Sequence, residues 1–157
     1  MTFIEFYRDF FNYDRWANER VGSALREAED HSGDPLKLYA HIVSAQLVWL
    51  ARILQADYES METWMDLSLD ETVNLAGQIH VRWLQLLDSV SEEGLDTIIS
   101  YRTTAGVPYE TSLRDILTHV NNHSTYHRAQ ISRIIRERDG IPPATDYIVY
   151  VRDKAQS

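Results

Sequence analysis

Residues 111–140 read TSLRDILTHVNNHSTYHRAQISRIIRERDG. Leu113, Ile116, Leu117, Val120, Ile131, Ile134 and Ile135 recur at intervals of three and four, which predicts one long amphipathic helix. Thr111 or Ser112 supplies its cap, and Gly140, with Pro142 and Pro143 beyond, stops it near Asp139. A helix with a single apolar stripe needs neighbours to cover that stripe, and the rest of the chain provides them.

Three further segments carry the same period. Phe3, Phe6, Tyr7, Phe10, Tyr13, Ala17 and Val21 mark a helix from about Thr2 to Ala28, opened by a Thr2–Glu5 capping box. A second runs from about Pro35 to Ala56, with Asp34 as N-cap and Pro35 in the first turn. A third opens with Ser68 and Glu71, again a capping box, and carries Val73, Ala76, Ile79, Trp83, Leu87 and Val90. Before the fourth helix, TIISYRTTAGVPYET contains two β-prone runs around Ala105-Gly106, which predicts a small hairpin. The fold expected is all-α: a four-helix bundle with one β-hairpin between helices three and four, forming a single domain over residues 1–157. The tail, ATDYIVYVRD, is apolar enough to dock on the body but too short for its period to class.

Composition narrows the function. The formal charge is −9, and the 15 Lys and Arg are scattered, so nucleic-acid binding is not expected. There is no cysteine, which removes thiolate ligands and thiol nucleophiles from the chain. The N-terminal stretch carries Glu5, Arg8, Asp9 and Asp14 and lacks the pattern of a signal peptide. No apolar run is long enough to span a membrane, and a cytoplasmic location is the expectation.

His123 and His127 stand four residues apart on the fourth helix. At 100° per residue, His127 falls roughly 20° and His123 roughly 60° from the stripe centre, so both turn inward. His119 falls roughly 100° away, on the shoulder. Two imidazoles sharing one dry volume each need partners for two nitrogens, and a divalent ion resolves the conflict by taking one nitrogen from each ring. Ser124 follows His123 where a zinc protease has Glu. No histidine has an acid three residues before it, which excludes a di-iron carboxylate bundle. A third ligand must come from elsewhere. His119 lies about 12 Å along the axis from His127, and His31 falls in a polar linker. His41 and His80 remain, and periodicity leaves the choice between them open.

The motif NHSTYHRAQI at Asn122–Ile131 resembles the signature N-H-x-x-Y/H-H-R-G-Q of the DinB-like damage-inducible proteins. That family shares its bundle with metal-dependent thiol S-transferases. YDRWANER at Tyr13–Arg20 is similar to its first-helix motif, HIVSAQLVW at His41–Trp49 to its second, and GIPPATDYIVYVRD to its usual ending. The resemblance implies a site for a divalent metal, zinc or nickel, held by His41, His123 and His127. It implies a homodimer, a role in stress response, and activation of a low-molecular-weight thiol, or of water, against an electrophile. The alternative is a non-catalytic metal-binding stress protein that dimerises. Ala129 replaces the signature's glycine, a change expected to alter close packing beside helix two. Gln130, on the His123 side, is placed to hydrogen-bond a metal-bound species. Arg128, Asn122, Tyr126, Trp16 and Asn18 are expected to serve packing and helix-to-helix ties, and METWM at 61–65 to offer apolar surface to a partner.

Overall fold

The computed structural model describes residues 1–28 and 33–156; His31 lies outside them. Four long helices form in order: α1 (Phe3–Glu27), α2 (Asp34–Ile53), α3 (Leu69–Ser89) and α4 (Leu113–Glu137). Strands β1 (Ile98–Arg102) and β2 (Pro108–Ser112) precede α4, and the tail folds as a fifth helix, α5 (Tyr147–Gln156).

The helix starts show how local chemistry fixes the ends. Thr2 Oγ1 accepts from the Glu5 amide at 3.1 Å, and the Glu5 carboxylate accepts the Thr2 amide at 2.7 Å. Glu92 then takes the Phe3 and Ile4 amides at 3.1 and 2.9 Å, so donors left over by helix geometry are met from across the bundle. Ser68 and Glu71 repeat the box on α3, and Ser112 caps α4. On α2 the cap is Gly33, at φ 79°, with no side-chain bond; Asp34 sits inside the first turn with Pro35. Gly33 takes the cap because its backbone turns into the helix through the left-handed region.

At the end of α4, the residue with positive φ is Asp139 (58°) rather than Gly140. Gly140 serves by its lack of bulk: its amide reaches the Ile135 carbonyl at 2.9 Å, and a Cβ there would sit 2.8 Å from Ile135 Cγ2.

In the bundle, α1 lies beside α3 and α4, and α2 beside the same two, so α1 and α2 are diagonal. Phe11 stacks on Trp83 at 4.6 Å near the centre, both almost fully buried. The antiparallel hairpin pairs Ile98 with Ser112 and Arg102 with Pro108, turns at Gly106 (φ 79°), and tucks Ile99 under the bundle's end. The Leu113 amide donates to the Thr97 carbonyl at 2.9 Å, which fixes where α4 begins. The tail docks on α1 through Tyr150, buried against Tyr13 and Trp16, with its hydroxyl on Asp9 at 2.7 Å. Among the described residues, no helix is long and apolar enough to cross a membrane.

Candidate metal centre

Because α2 and α4 are neighbours, His41 of α2 meets His123 and His127 of α4. Nε2 of His123 lies 3.2 Å from Nε2 of His41 and 3.1 Å from Nε2 of His127. One nitrogen from each ring falls within 4.8 Å of the others, and no further His, Asp or Glu joins them among the described residues.

The outer nitrogens fix the tautomers. His41 Nδ1 sits 2.6 Å from the Thr63 carbonyl, which has only lone pairs, so this nitrogen carries the proton. His127 Nδ1 donates in the same way to Gln130 Oε1 at 2.8 Å. Both Nε2 atoms therefore present lone pairs to His123, whose single Nε2 can carry one hydrogen for two acceptors. A shared cation satisfies all three at once. Zinc–nitrogen bonds of about 2.0–2.1 Å at tetrahedral angles would separate ligand nitrogens by about 3.3 Å, close to the spacings found. The donor set fits a metal ion.

Aromatic rings wall the cluster. Trp64 stacks on His41 at 3.8 Å and 8°, though it is itself more than half exposed. Tyr126 meets His127 edge-on at 5.1 Å, and His119 lies 5.7 Å from His123. Burial, reinforced by the neighbouring rings, lowers the His123 pKa to about 3. Burial also lowers His41, against the opposing pull of the Thr63 carbonyl.

These shifts predict acid sensitivity. A pKa lowered on folding contributes full stability above the unfolded value near 6.5, and that stability is lost as pH falls towards the folded value. In a chelator, the urea midpoint should fall between pH 7 and pH 4, and His123→Gln should flatten part of that slope. Identical slopes for the two proteins would refute a neutral, buried His123.

Beside the cluster runs a buried polar network in which Arg128 and Asn18 make the helix-to-helix tie expected of them, joined by Asp14, Gln46 and Ser124, which the sequence reading did not single out. Arg128 Nη1 donates to Asp14 at 2.6 Å and to Asn18 at 2.9 Å. Gln46 Nε2 bridges Asp14 at 2.7 Å and Ser124 at 3.0 Å, while its Oε1 accepts from Trp83 at 2.9 Å. All four long helices are joined here. Asn121, Ser124 and Arg128 belong to the buried face of α4, whose buried residues centre at Ser124, which sets His127 about 60° and His123 about 100° from that centre. The two histidines are thus half-buried on the shoulder towards α2, rather than near the middle of the stripe.

The chain matches the family model described as the DinB family over residues 7–156. It belongs to the DinB family. It is also similar to "Protein DinB" of Bacillus subtilis (strain 168), 22% identical over 168 residues that cover 94% of each protein. Of the two third partners that spacing allowed, it is His41 that this DinB-family fold brings to His123 and His127. His80 is buried between α3 and α1, beside Phe11, Asp14 and Arg15, and outside the cluster. Gln130 accepts from His127 Nδ1 and so orients that ring, while it also lines the groove beside Trp64. Ala129 is exposed and lines a groove with Phe10, Pro142 and Pro143, so it packs towards the C-terminal segment and not beside α2. The METWM segment is partly spent on the site: Trp64 covers His41, and the Met65 amide reaches Ser44 Oγ at 3.4 Å.

Proposed function

We propose that His41, His123 and His127 hold a divalent metal ion, and that the protein transfers a low-molecular-weight thiol to an electrophile, or hydrolyses one. The observation that carries this reading is the meeting of three Nε2 atoms whose two outer rings have committed their Nδ1 hydrogens elsewhere. Three neutral imidazoles leave a coordination position open, the pattern of a catalytic site. A bound ion would act as a Lewis acid that lowers the pKa of water or a thiol.

The chain's own groups supply position rather than proton transfer. The Thr63 carbonyl and Gln130 hold the rings, and Trp64 shields the His41 face. A groove of about 500 Å³ borders the cluster through Trp64 and Gln130 and carries Lys37 and Arg133 on its walls, room enough for a small thiol and its acceptor. With no cysteine in the chain, the thiol must come from outside.

The second reading is a non-catalytic metal-binding stress protein that works as a homodimer. It is favoured by the absence of any carboxylate in the cluster among the described residues. Turnover separates the two. Zinc- or nickel-loaded protein with L-cysteine and 1-chloro-2,4-dinitrobenzene should form thioether faster than buffer, with the gain lost at least about 100-fold in His123→Ala, an effect of the order of a removed ligand's neighbour or more. Full metal occupancy without turnover, across a panel of thiols, would leave the binding protein as the answer.

A further inference from the structure

The chain buries two arginines, and they are treated differently. Arg128 has Asp14, Asn18 and Thr125 around its guanidinium. Arg52, on α2, is 7% exposed, yet among the described residues it has no carboxylate and no hydrogen-bond acceptor. Its guanidinium lies instead over Trp49 at 4.5 Å, Tyr101 at 5.2 Å and Tyr58 at 5.7 Å. Ring faces offset part of the cost of burying the charge. They leave Nε buried without the acceptor that a buried polar group requires, and the terminal nitrogens make no hydrogen bond among the described residues.

Arg52 lines a cavity of about 320 Å³ between α2, the segment that follows it and the hairpin turn, with Tyr58, Arg102 and Thr103 also on its walls. The Tyr58 hydroxyl accepts the Arg102 amide at 3.0 Å, so its own hydrogen is free to donate. Glu59 is also on the wall, but it is exposed and makes no ion pair with Arg52. In a chain of net charge −9, a pocket with two arginines and one unused buried guanidinium is a concentration of donors awaiting an acceptor.

We infer that this pocket binds the oxyanion group of a small molecule, a carboxylate or a phosphate, with Arg52 as the buried anchor and Arg102 and Tyr58 closing on it. A guanidinium fork matches two oxygens of either group. The aromatic rings hold Arg52 in place before the ligand arrives, which reduces the ordering cost of binding. The site lies beyond His119, whose ring sits 5.3 Å from Trp49 and separates it from His123. It stands whether or not the histidines hold a metal.

The test titrates isotope-labelled full-length protein by NMR with inorganic phosphate and with benzoate, using benzamide as the uncharged control. At least one anion should bind saturably, and benzamide at least tenfold more weakly; which anion binds identifies the group. Arg52→Gln should weaken binding at least tenfold. If that variant fails to fold, Arg102→Gln, at an exposed position, should still weaken it severalfold. His123→Ala should bind the anion as the parent does, which separates this inference from the metal reading. Equal binding of benzamide, no saturable binding of either anion, or unchanged affinity in Arg102→Gln together with Arg52→Gln where it folds would overturn it.

Discussion

His123→Ala is expected to purify almost free of zinc or nickel, while the parent carries close to one ion per chain. The geometry makes His123 the central member: its Nε2 touches both other ligand nitrogens, at 3.2 and 3.1 Å, and among the described residues the remaining pair has no third His, Asp or Glu in the cluster. His41→Ala and His127→Ala should lose metal too. Gln130→Ala removes only the acceptor that orients His127, and a loss of about 10–100-fold in affinity is the usual effect of such a change. His80→Ala should keep its metal, because that ring lies between α3 and α1. Elemental analysis and chelator competition measure the five variants and the parent. A bound ligand also stabilises the fold it binds by mass action, so the unfolding temperature of the parent should rise with added metal and that of His123→Ala should not. Near-stoichiometric metal in all three ligand variants would sink the site.

The bundle was legible because its signals are local. Thr2–Glu5, Ser68–Glu71 and Ser112 begin helices where a hydroxyl can reach an amide one turn on, and the hairpin turns at Gly106. His123 and His127 were legible as a pair for the same reason: four residues on a helix fix their relation without any tertiary knowledge. The third partner was not, since periodicity says which face a residue occupies and nothing about which helix that face meets. His41 and His80 are both buried, yet it is α2 that lies beside α4, which puts His41 next to the pair. The resemblance to the DinB family pointed to His41; spacing could not. Helix-wheel reasoning also misplaced the centre of α4, because it weighted apolar residues and gave none to Asn121, Ser124 and Arg128. The tail's helix α5 went unclassed since its one buried residue, Tyr150, shows no period of its own.

That same polar centre carries the largest expected effect on stability. Asp14 and Arg128 are 4% and 1% exposed and 2.6 Å apart. Removing one member of such a pair leaves the other charge buried and unpaired, which costs about 3–5 kcal/mol, whereas replacing both with apolar groups of similar volume is often neutral. Asp14→Ala should therefore lower the urea midpoint severely, and Asp14→Leu with Arg128→Met should recover much of the loss. Gln46 and Asn18 also donate to Asp14, so the double variant takes an acceptor from each amide, Gln46 keeping only Ser124, and full recovery is not expected. The pair does more than stabilise. Arg128 is one residue from His127, and its reach to Asp14 on α1 sets the rotation that turns His123 and His127 towards α2. The recovered double variant should accordingly bind metal more weakly than the parent despite keeping all three histidines. Parental affinity in that variant would show that apolar packing alone orients α4; a fivefold or greater loss would assign the orientation to the buried ion pair.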